Sequence, residues 1–206
     1  AFKINSKSNP ERYFNNLILA LTYNQKVFGR RPDVLLDPST YFSNEKNWIG
    51  MIGFSKQKFY QDKFVFNYNI TEDIPYGENI ALIVGHQEKN SNSRLYTGLS
   101  VSFGRKYSFG YASGFAEWGS FYDAGLTEQT TFKLGLNYFS PLISWGNWRF
   151  RQFVKPTYVW GNNRDDSFKD RLTLLDEDGL PGFNNRLNGT QKWTVSFQTQ
   201  SYIPGS

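Results

Sequence analysis

The sequence contains no cysteine and a single histidine, His86. The missing thiols exclude a disulfide framework and thiolate chemistry, and such a chain fits any cellular compartment. A zinc site is not expected either, because zinc is held mainly by cysteine and histidine. His86 alternates with apolar residues, and we expect it to be hydrogen-bonded rather than to act as a general base. The sequence therefore predicts no enzyme activity, no metal site and no cofactor.

Long hydrophobic runs are also missing. The longest compact apolar run covers residues 17–21, whereas a transmembrane helix needs about 18 apolar residues or more. This absence does not exclude a membrane protein, because a barrel strand needs only about 9–11 residues of alternating hydrophobicity.

Aromatic residues are abundant although the chain is not hydrophobic. They make up 18% of the residues, against 39% hydrophobic residues in total and a mean hydropathy of −0.56. Many large aromatics with little aliphatic filler favour a surface that meets lipid, with a polar interior. The net charge of +5 is spread along the chain, so we expect no nucleic-acid groove.

Apolar residues alternate with polar or small ones along most of the chain. Successive side chains of a β-strand point to opposite faces, so this period of two predicts strands. We identify about nine strands, which predict one domain (residues 1–206) forming an all-β, antiparallel, up-and-down transmembrane β-barrel. A polar lead-in (1–11) precedes them, and a long external or lumen loop (161–190) precedes the last one. The predicted strands are 13–27, 48–54, 64–71, 80–87, 95–103, 107–116, 130–138, 148–160 and 193–199.

The stretch of residues 64–87 predicts a hairpin. Its middle, residues 71–77 (TEDIPYG), combines hydrogen-bond acceptors with a proline and a glycine, and we assign it to a tight turn. Asn67 and Asn69 fall on the polar side of the first limb, so we expect them to line a lumen. Connections on one side of the predicted sheet stay short while those on the other lengthen, as in outer-membrane barrels.

Large and small side chains separate in residues 107–116. Tyr107, Phe109 and Tyr111 share one face, and serine, glycine and alanine residues occupy the other. This predicts aromatics at the lipid interface. The small face would have a close neighbour, such as a loop or a narrow lumen.

Residues 148–160 predict a strand with an aromatic residue at each end. Trp148 and Trp160 lie on one face, about a dozen residues apart, which is the spacing of the two aromatic girdles of a membrane barrel. Arg149, Arg151 and Lys155 lie on the opposite face, where they would line an aqueous lumen. In a soluble sandwich the same charges would simply face solvent, so both interpretations stay open at this point.

Residues 180–192 (LPGFNNRLNGTQK), followed by a strand that closes near Pro204, resemble the bacterial surface antigen family of outer-membrane assembly insertases and two-partner secretion transporters. The resemblance implies a sixteen-stranded barrel with a long loop folded into the lumen, whose tip carries Arg-Gly-Phe or Arg-Gly-Tyr. Pro181 stands where the family has arginine. This chain would then hold roughly the fourth to twelfth strands, and its composition is similar to Bacteroidetes proteins. The matching loop residues are Gly182, Phe183, Arg186 and Gly189.

The predicted function follows from the barrel and the resemblance together. We expect a protein of the Gram-negative bacterial outer membrane that inserts or translocates polypeptide, with lipid, polypeptide substrates or assembly partners as its contacts. One alternative is a porin-like or substrate-specific channel. A second is a soluble β-sandwich that binds carbohydrate through Trp118, Trp145 and Trp160.

Overall fold

The computed structural model describes residues 2–4, 14–33, 35–36, 42–89, 92–164, 172 and 189–203. In these ranges no helix is long and apolar enough to cross a membrane. The regular structure is β throughout. The strands are β1 (Phe2–Ile4), β2 (Phe14–Lys26), β3 (Glu45–Lys63), β4 (Thr71–Lys89), β5 (Asn92–Tyr107), β6 (Gly110–Asp123), β7 (Leu126–Phe139), β8 (Ile143–Trp145), β9 (Trp148–Asn162) and β10 (Gln191–Tyr202).

The strands form one antiparallel meander in the order β1-β2-β3-β4-β5-β6-β7-β9-β10, and the short β8 pairs with β9 alone. The predicted all-β, antiparallel, up-and-down sheet of nine strands is thus confirmed. The predicted closure is not found. Within the described residues β1 pairs only with β2, and β10 pairs only with β9. Both edges of the sheet therefore lack an outer neighbour, and the sheet is open.

The predicted hairpin in residues 64–87 is wrong in its first limb. β3 and β4 are each 19 residues long, and residues 64–70 form the turn between them. Phe64 and Asn69 adopt positive φ angles of 60° and 52° there, which interrupts a strand. The segment assigned to the turn lies inside β4. Pro75 is tolerated because β4 is an edge at that point, its pairing with β5 ending at Gly77.

Three segments that lie outside the predicted strands are strands as well. Residues 56–62 continue β3, residues 104–106 continue β5 as far as Tyr107, and residues 118–123 continue β6. The first two were missed because they contain several charged or polar side chains. Residues 2–4 of the predicted lead-in form β1.

Register places apolar and polar residues on opposite faces of the sheet, because directly paired residues share a face. We define the apolar face by one row of partners from β2 to β10, and the polar face by a neighbouring row. The apolar row is Leu17, Phe54, Ile80, Val101, Ala116, Leu134, Tyr158 and Trp193. The polar row is Asn16, Ser55, Asn79, Ser102, Phe115, Gly135, Thr157 and Thr194.

Candidate functional site

The apolar face is exposed over its full width. Leu82 is 55% exposed in the middle of the sheet, and Trp193 and Phe197 on β10 are 69% and 71% exposed. Soluble domains rarely expose contiguous apolar surface of this extent, and a face of this kind marks contact with a membrane or another protein. The face therefore requires a covering layer that the described residues do not supply.

Ion pairs bound the apolar face on the central strands. Lys46 pairs with Glu88 at 3.5 Å towards one end, and Arg105 pairs with Glu78 at 2.6 Å towards the other. The two glutamates are ten residues apart on β4, which is about 34 Å along a strand. With the strand tilt of membrane barrels the apolar band would be about 25 Å high, the height of the hydrocarbon-facing band in such barrels.

By register, all six tryptophans of the chain lie on the apolar face. Trp148 and Trp160 occupy this face at opposite ends of β9, and Trp145 on β8 pairs with Trp148. Tyr107 lies at the end of β5 on the same face, and Phe109 in the following turn stacks on it with ring centroids 5.0 Å apart. The placement of these aromatics at a lipid interface stays a prediction.

Tyr111 does not share that face, and its predicted position at the interface is wrong. It is 8% exposed, its hydroxyl donates to the carbonyl oxygen of Pro75 at 2.6 Å, and its ring stacks on Phe139. The turn explains the error. Tyr107 pairs with Gly110 across it, so Tyr111 takes the polar face.

The small residues of β6 accommodate bulky neighbours. Ala112, Gly114 and Ala116 lie on the apolar face, and a Cβ atom on Gly114 would lie 2.6 Å from Leu136 Cδ2 and 2.9 Å from Phe103 Cε1. The close neighbours of this small face are side chains of the adjacent strands, and the loop expected against it lies largely outside the described residues. On the polar face aromatic side chains cover glycines of neighbouring strands in three places: Tyr96 covers Gly119, Phe115 covers Gly135 and Tyr111 covers Gly104.

A hairpin crosses the polar face at one end of the sheet. We call residues 58–76 the crossing hairpin. They extend β3 and β4 past the last β4–β5 pair, Gly77 with Gly104. The ring of Phe66 lies 6.3 Å from that of Phe153 on β9, and the ring of Phe64 lies 5.3 Å from that of Tyr202 on β10.

These contacts fix the curvature of the sheet. β10 lies five strands from β4 in the sheet order, so the hairpin reaches it only by crossing the concave side. The residues that it covers, Phe139, Phe153 and Tyr111, are on the polar face and form a buried cluster with Val65 and Ile74. The polar face is therefore concave, and the apolar face is convex.

Arg151 is the centre of the contact between the hairpin and the sheet. It is 1% exposed. Its Nη1 and Nη2 donate to the two carboxylate oxygens of Asp62 at 3.2 and 3.3 Å, and Nη2 also donates to the carbonyl oxygen of Lys63 at 2.9 Å. The guanidinium lies 5.0 Å from the ring centre of Phe139. The predicted lumen residue thus faces the concave side but is covered by protein.

The other predicted lumen residues are spread over the concave side and the turn. Arg149 is half-buried and Lys155 is exposed, both on the polar face of β9. Asn67 and Asn69 lie in the turn of the crossing hairpin, so their predicted place on a strand is wrong. Asn67 Nδ2 donates to Glu72 Oε1 at 2.8 Å.

The predicted loop motif falls largely outside the described residues. The described residues do not include Gly182, Phe183 and Arg186, nor most of the 161–190 loop. Gly189 is described and forms an isolated antiparallel bridge with Leu172, with N–H to carbonyl distances of 2.9 and 3.2 Å.

Glu72 organises the hairpin turn and was missed by sequence reasoning. Its Oε2 accepts from the amides of Val65 at 3.1 Å and Phe66 at 2.8 Å. Partial burial raises the pKa of Glu72, but the hydrogen bonds from Phe66, Asn67 and Val65 outweigh that effect and lower it overall. Nearby, burial and the carboxylate of Asp62 raise the pKa of Tyr60 to about 12.

Across the described ranges, no three histidine, aspartate or glutamate side chains lie together so that they could hold a metal ion. The geometry instead combines a convex apolar surface, a concave polar surface and a hairpin across the latter. No protein-family model, no curated protein and no solved structure matches the chain.

Proposed function

We propose that this chain forms wall strands of a bacterial outer-membrane β-barrel. Its convex face would contact lipid, and its concave face would line the lumen. One observation carries the proposal: an unbroken row of apolar register partners runs across β2 to β10 on the convex side. The height of the band between the Glu78 and Glu88 ion pairs supports it.

A soluble sandwich fits the geometry less well. A sandwich buries the apolar face of one sheet against a second sheet. The crossing hairpin, which is the second layer among the described residues, packs on the polar face instead. The tryptophans of the carbohydrate-binding alternative are also apart, because Trp160 and Trp145 lie towards opposite ends of β9.

Insertion or translocation of polypeptide is the role that we propose for the barrel. The resemblance of residues 180–192 to the surface antigen family supports this role. A barrel in lipid must pair every strand edge, so β10 and β1 would be neighbours of further strands or of each other. The second candidate is a substrate-specific channel, which the hairpin across the concave side favours because it would narrow a pore.

Leu82→Arg tests the lipid-facing assignment. Arginine near the bilayer midplane of a barrel costs about 2–4 kcal/mol, so we expect a several-fold loss of membrane-assembled, protease-resistant protein. Ser100→Arg is the matched control. Leu99 is the register partner of Leu82, so the next residue, Ser100, lies at nearly the same height but on the polar face. The register partner of Ser100 on β6 is Glu117. An arginine there would face the lumen beside a carboxylate and should be tolerated.

Equal tolerance of both variants would mean that the assigned facing is incorrect. A monodisperse, folded wild-type protein in detergent-free buffer would overturn the membrane proposal as a whole. Conductance in planar bilayers separates the two candidate roles. A steady open pore that is unaffected by added unfolded polypeptide favours the channel.

A further inference from the structure

The crossing hairpin projects from the sheet as two strands that are paired with each other. β4 pairs with β5 up to Gly77, and beyond it the two limbs pair only with each other among the described residues. Gly77 has a φ of 147°, and a Cβ atom there would overlap the carbonyl oxygen of Lys56. This is a conformation that glycine alone adopts readily. The limbs thus leave the sheet at a glycine, where a hinge needs little side-chain rearrangement.

The hairpin is held on the sheet by a small apolar cluster and by ring contacts of Phe64 and Phe66. Three polar links join them: Arg151 donates to Asp62 and to the carbonyl oxygen of Lys63, and Tyr111 donates to the carbonyl oxygen of Pro75. The link between Asp62 and the buried Arg151 is the charged one. Arg151 Nε has no hydrogen-bond partner although it is buried. Phe64, next to Lys63 at the tip, has a φ of 60°, which is rare for a bulky residue. Strained backbone and an incompletely satisfied buried charge are typical of contacts that a protein makes and breaks.

The position of the tip decides what it covers. It spans the concave side from β4 to β9 and β10, at the end of the sheet where β3 connects to β4, β5 to β6 and β7 to β9. In a barrel this hairpin would close the lumen at that end.

We infer that the crossing hairpin is a gate, latched by the Asp62–Arg151 ion pair, that swings about Gly77 to open the concave side. The latch itself stands on the contacts described above, while its consequence, a closed or open pore, rests on the proposed barrel. The two parts are therefore tested separately.

Cysteine labelling tests the latch, because the chain has no native thiol. Val65, in the turn of the hairpin, is 0% exposed where it packs against the sheet, so Val65→Cys should react slowly with a water-soluble maleimide. Adding Asp62→Asn removes the charge that holds Arg151, and we expect labelling at least tenfold faster. Asp73→Asn is the matched control. It removes the same charge from an exposed position on the same hairpin and should leave the rate unchanged.

Two further cysteine variants ensure that the test does not depend on Val65→Cys alone. Ile74→Cys reports on the other limb, since Ile74 is 4% exposed, and it should respond to Asp62→Asn in the same way. Thr71→Cys is exposed and should label rapidly in every background. Unchanged labelling of both buried positions in Asp62→Asn, or an equal increase in Asp73→Asn, would overturn the latch.

Bilayer conductance tests the gate with the full chain. We expect rare openings for the wild type and at least a fivefold higher open probability for Asp62→Asn. Equal open probabilities would overturn the gate. If neither protein inserts but labelling still responds to Asp62→Asn, the barrel proposal fails and the latch remains.

Discussion

At the scale of single residues, Glu72 shows how one carboxylate shapes a turn whose residues otherwise alternate like a strand. It accepts hydrogen bonds from the amides of Val65 and Phe66 and from Asn67. Asn67 and Asn69 were expected on a strand because alternation of apolar and polar residues does not reveal an acceptor five to seven residues ahead of its donors. The facing of the charged residues on β9 was easier to predict, because no turn interrupts that strand. Arg149, Arg151 and Lys155 lie on the face opposite to that of Trp148.

The lowered pKa of Glu72 predicts a pH dependence of hairpin stability. The folded state favours the ionised carboxylate, so its contribution is complete above the ordinary carboxyl pKa and is lost as the pH falls through the lowered value. Glu72→Gln should reduce the free energy of unfolding at pH 7 by about 1 kcal/mol, a modest value because the group is largely solvated. Urea unfolding at pH 7 and pH 3 measures this.

The difference between wild type and Glu72→Gln should be smaller at pH 3 than at pH 7, because the stabilisation from the ionised carboxylate is lost as the pH falls towards the lowered pKa of Glu72. Asp73→Asn serves as the control, since Asp73 is exposed on the same limb. A difference that persists undiminished at pH 3 would show that the carboxylate charge does not organise the turn.

At the scale of elements, the sequence predicted where most strands lie but not where they end. Alternation identifies a strand wherever one face is apolar, as in β2 and β9. It fails at residues 56–62 and 104–106, because there the sheet continues with polar residues beyond the apolar band. The facing of β6 was inverted for another reason. The turn at Ser108 and Phe109 shifts the alternation, so the aromatic Tyr111 and Phe115 fall on the polar face.

The aromatic–glycine pairs of the polar face predict a difference between strand glycines. A Cβ atom on Gly135 would overlap the ring of Phe115, which also lies 5.4 Å from Lys133 Nζ. Gly135→Ala should therefore destabilise the sheet by about 1–3 kcal/mol, as overpacking does. Gly50→Ala is the control, because a Cβ there would contact only the carbonyl oxygen of Val84 at 3.8 Å. It should be neutral or stabilise by about 0.5 kcal/mol through the unfolded state.

Unfolding midpoints in the same detergent measure both variants. If Gly50→Ala and Gly135→Ala shifted the midpoint equally, the rings would not be packed on the glycines as described.

At the scale of the whole molecule, the orientation of the apolar face depends on long-range contacts that alternation cannot encode. The sequence left that face undecided between a core and a lipid surface. The contacts of Phe66 with Phe153 and of Asp62 with Arg151 join residues about 90 positions apart and make the polar side concave. Local alternation also does not specify how many strands a closed barrel needs. Closure was predicted, but in the described residues β1 and β10 each have one neighbour.

The tryptophans provide a test of the convex apolar face in lipid. Trp48, Trp118 and Trp193 are 37%, 37% and 69% exposed on that face, and Trp145, Trp148 and Trp160 line its β8–β9 side. In vesicles of acyl-brominated lipid we expect at least half of the tryptophan fluorescence to be quenched, because the indoles would be within contact of the bromine atoms. Aqueous iodide should quench much less. Trp193→Phe should lower the lipid-dependent loss of fluorescence by the share of this one indole out of six. Strong iodide quenching with no effect of brominated lipid would mean that a protein surface or water, rather than a bilayer, meets the convex face.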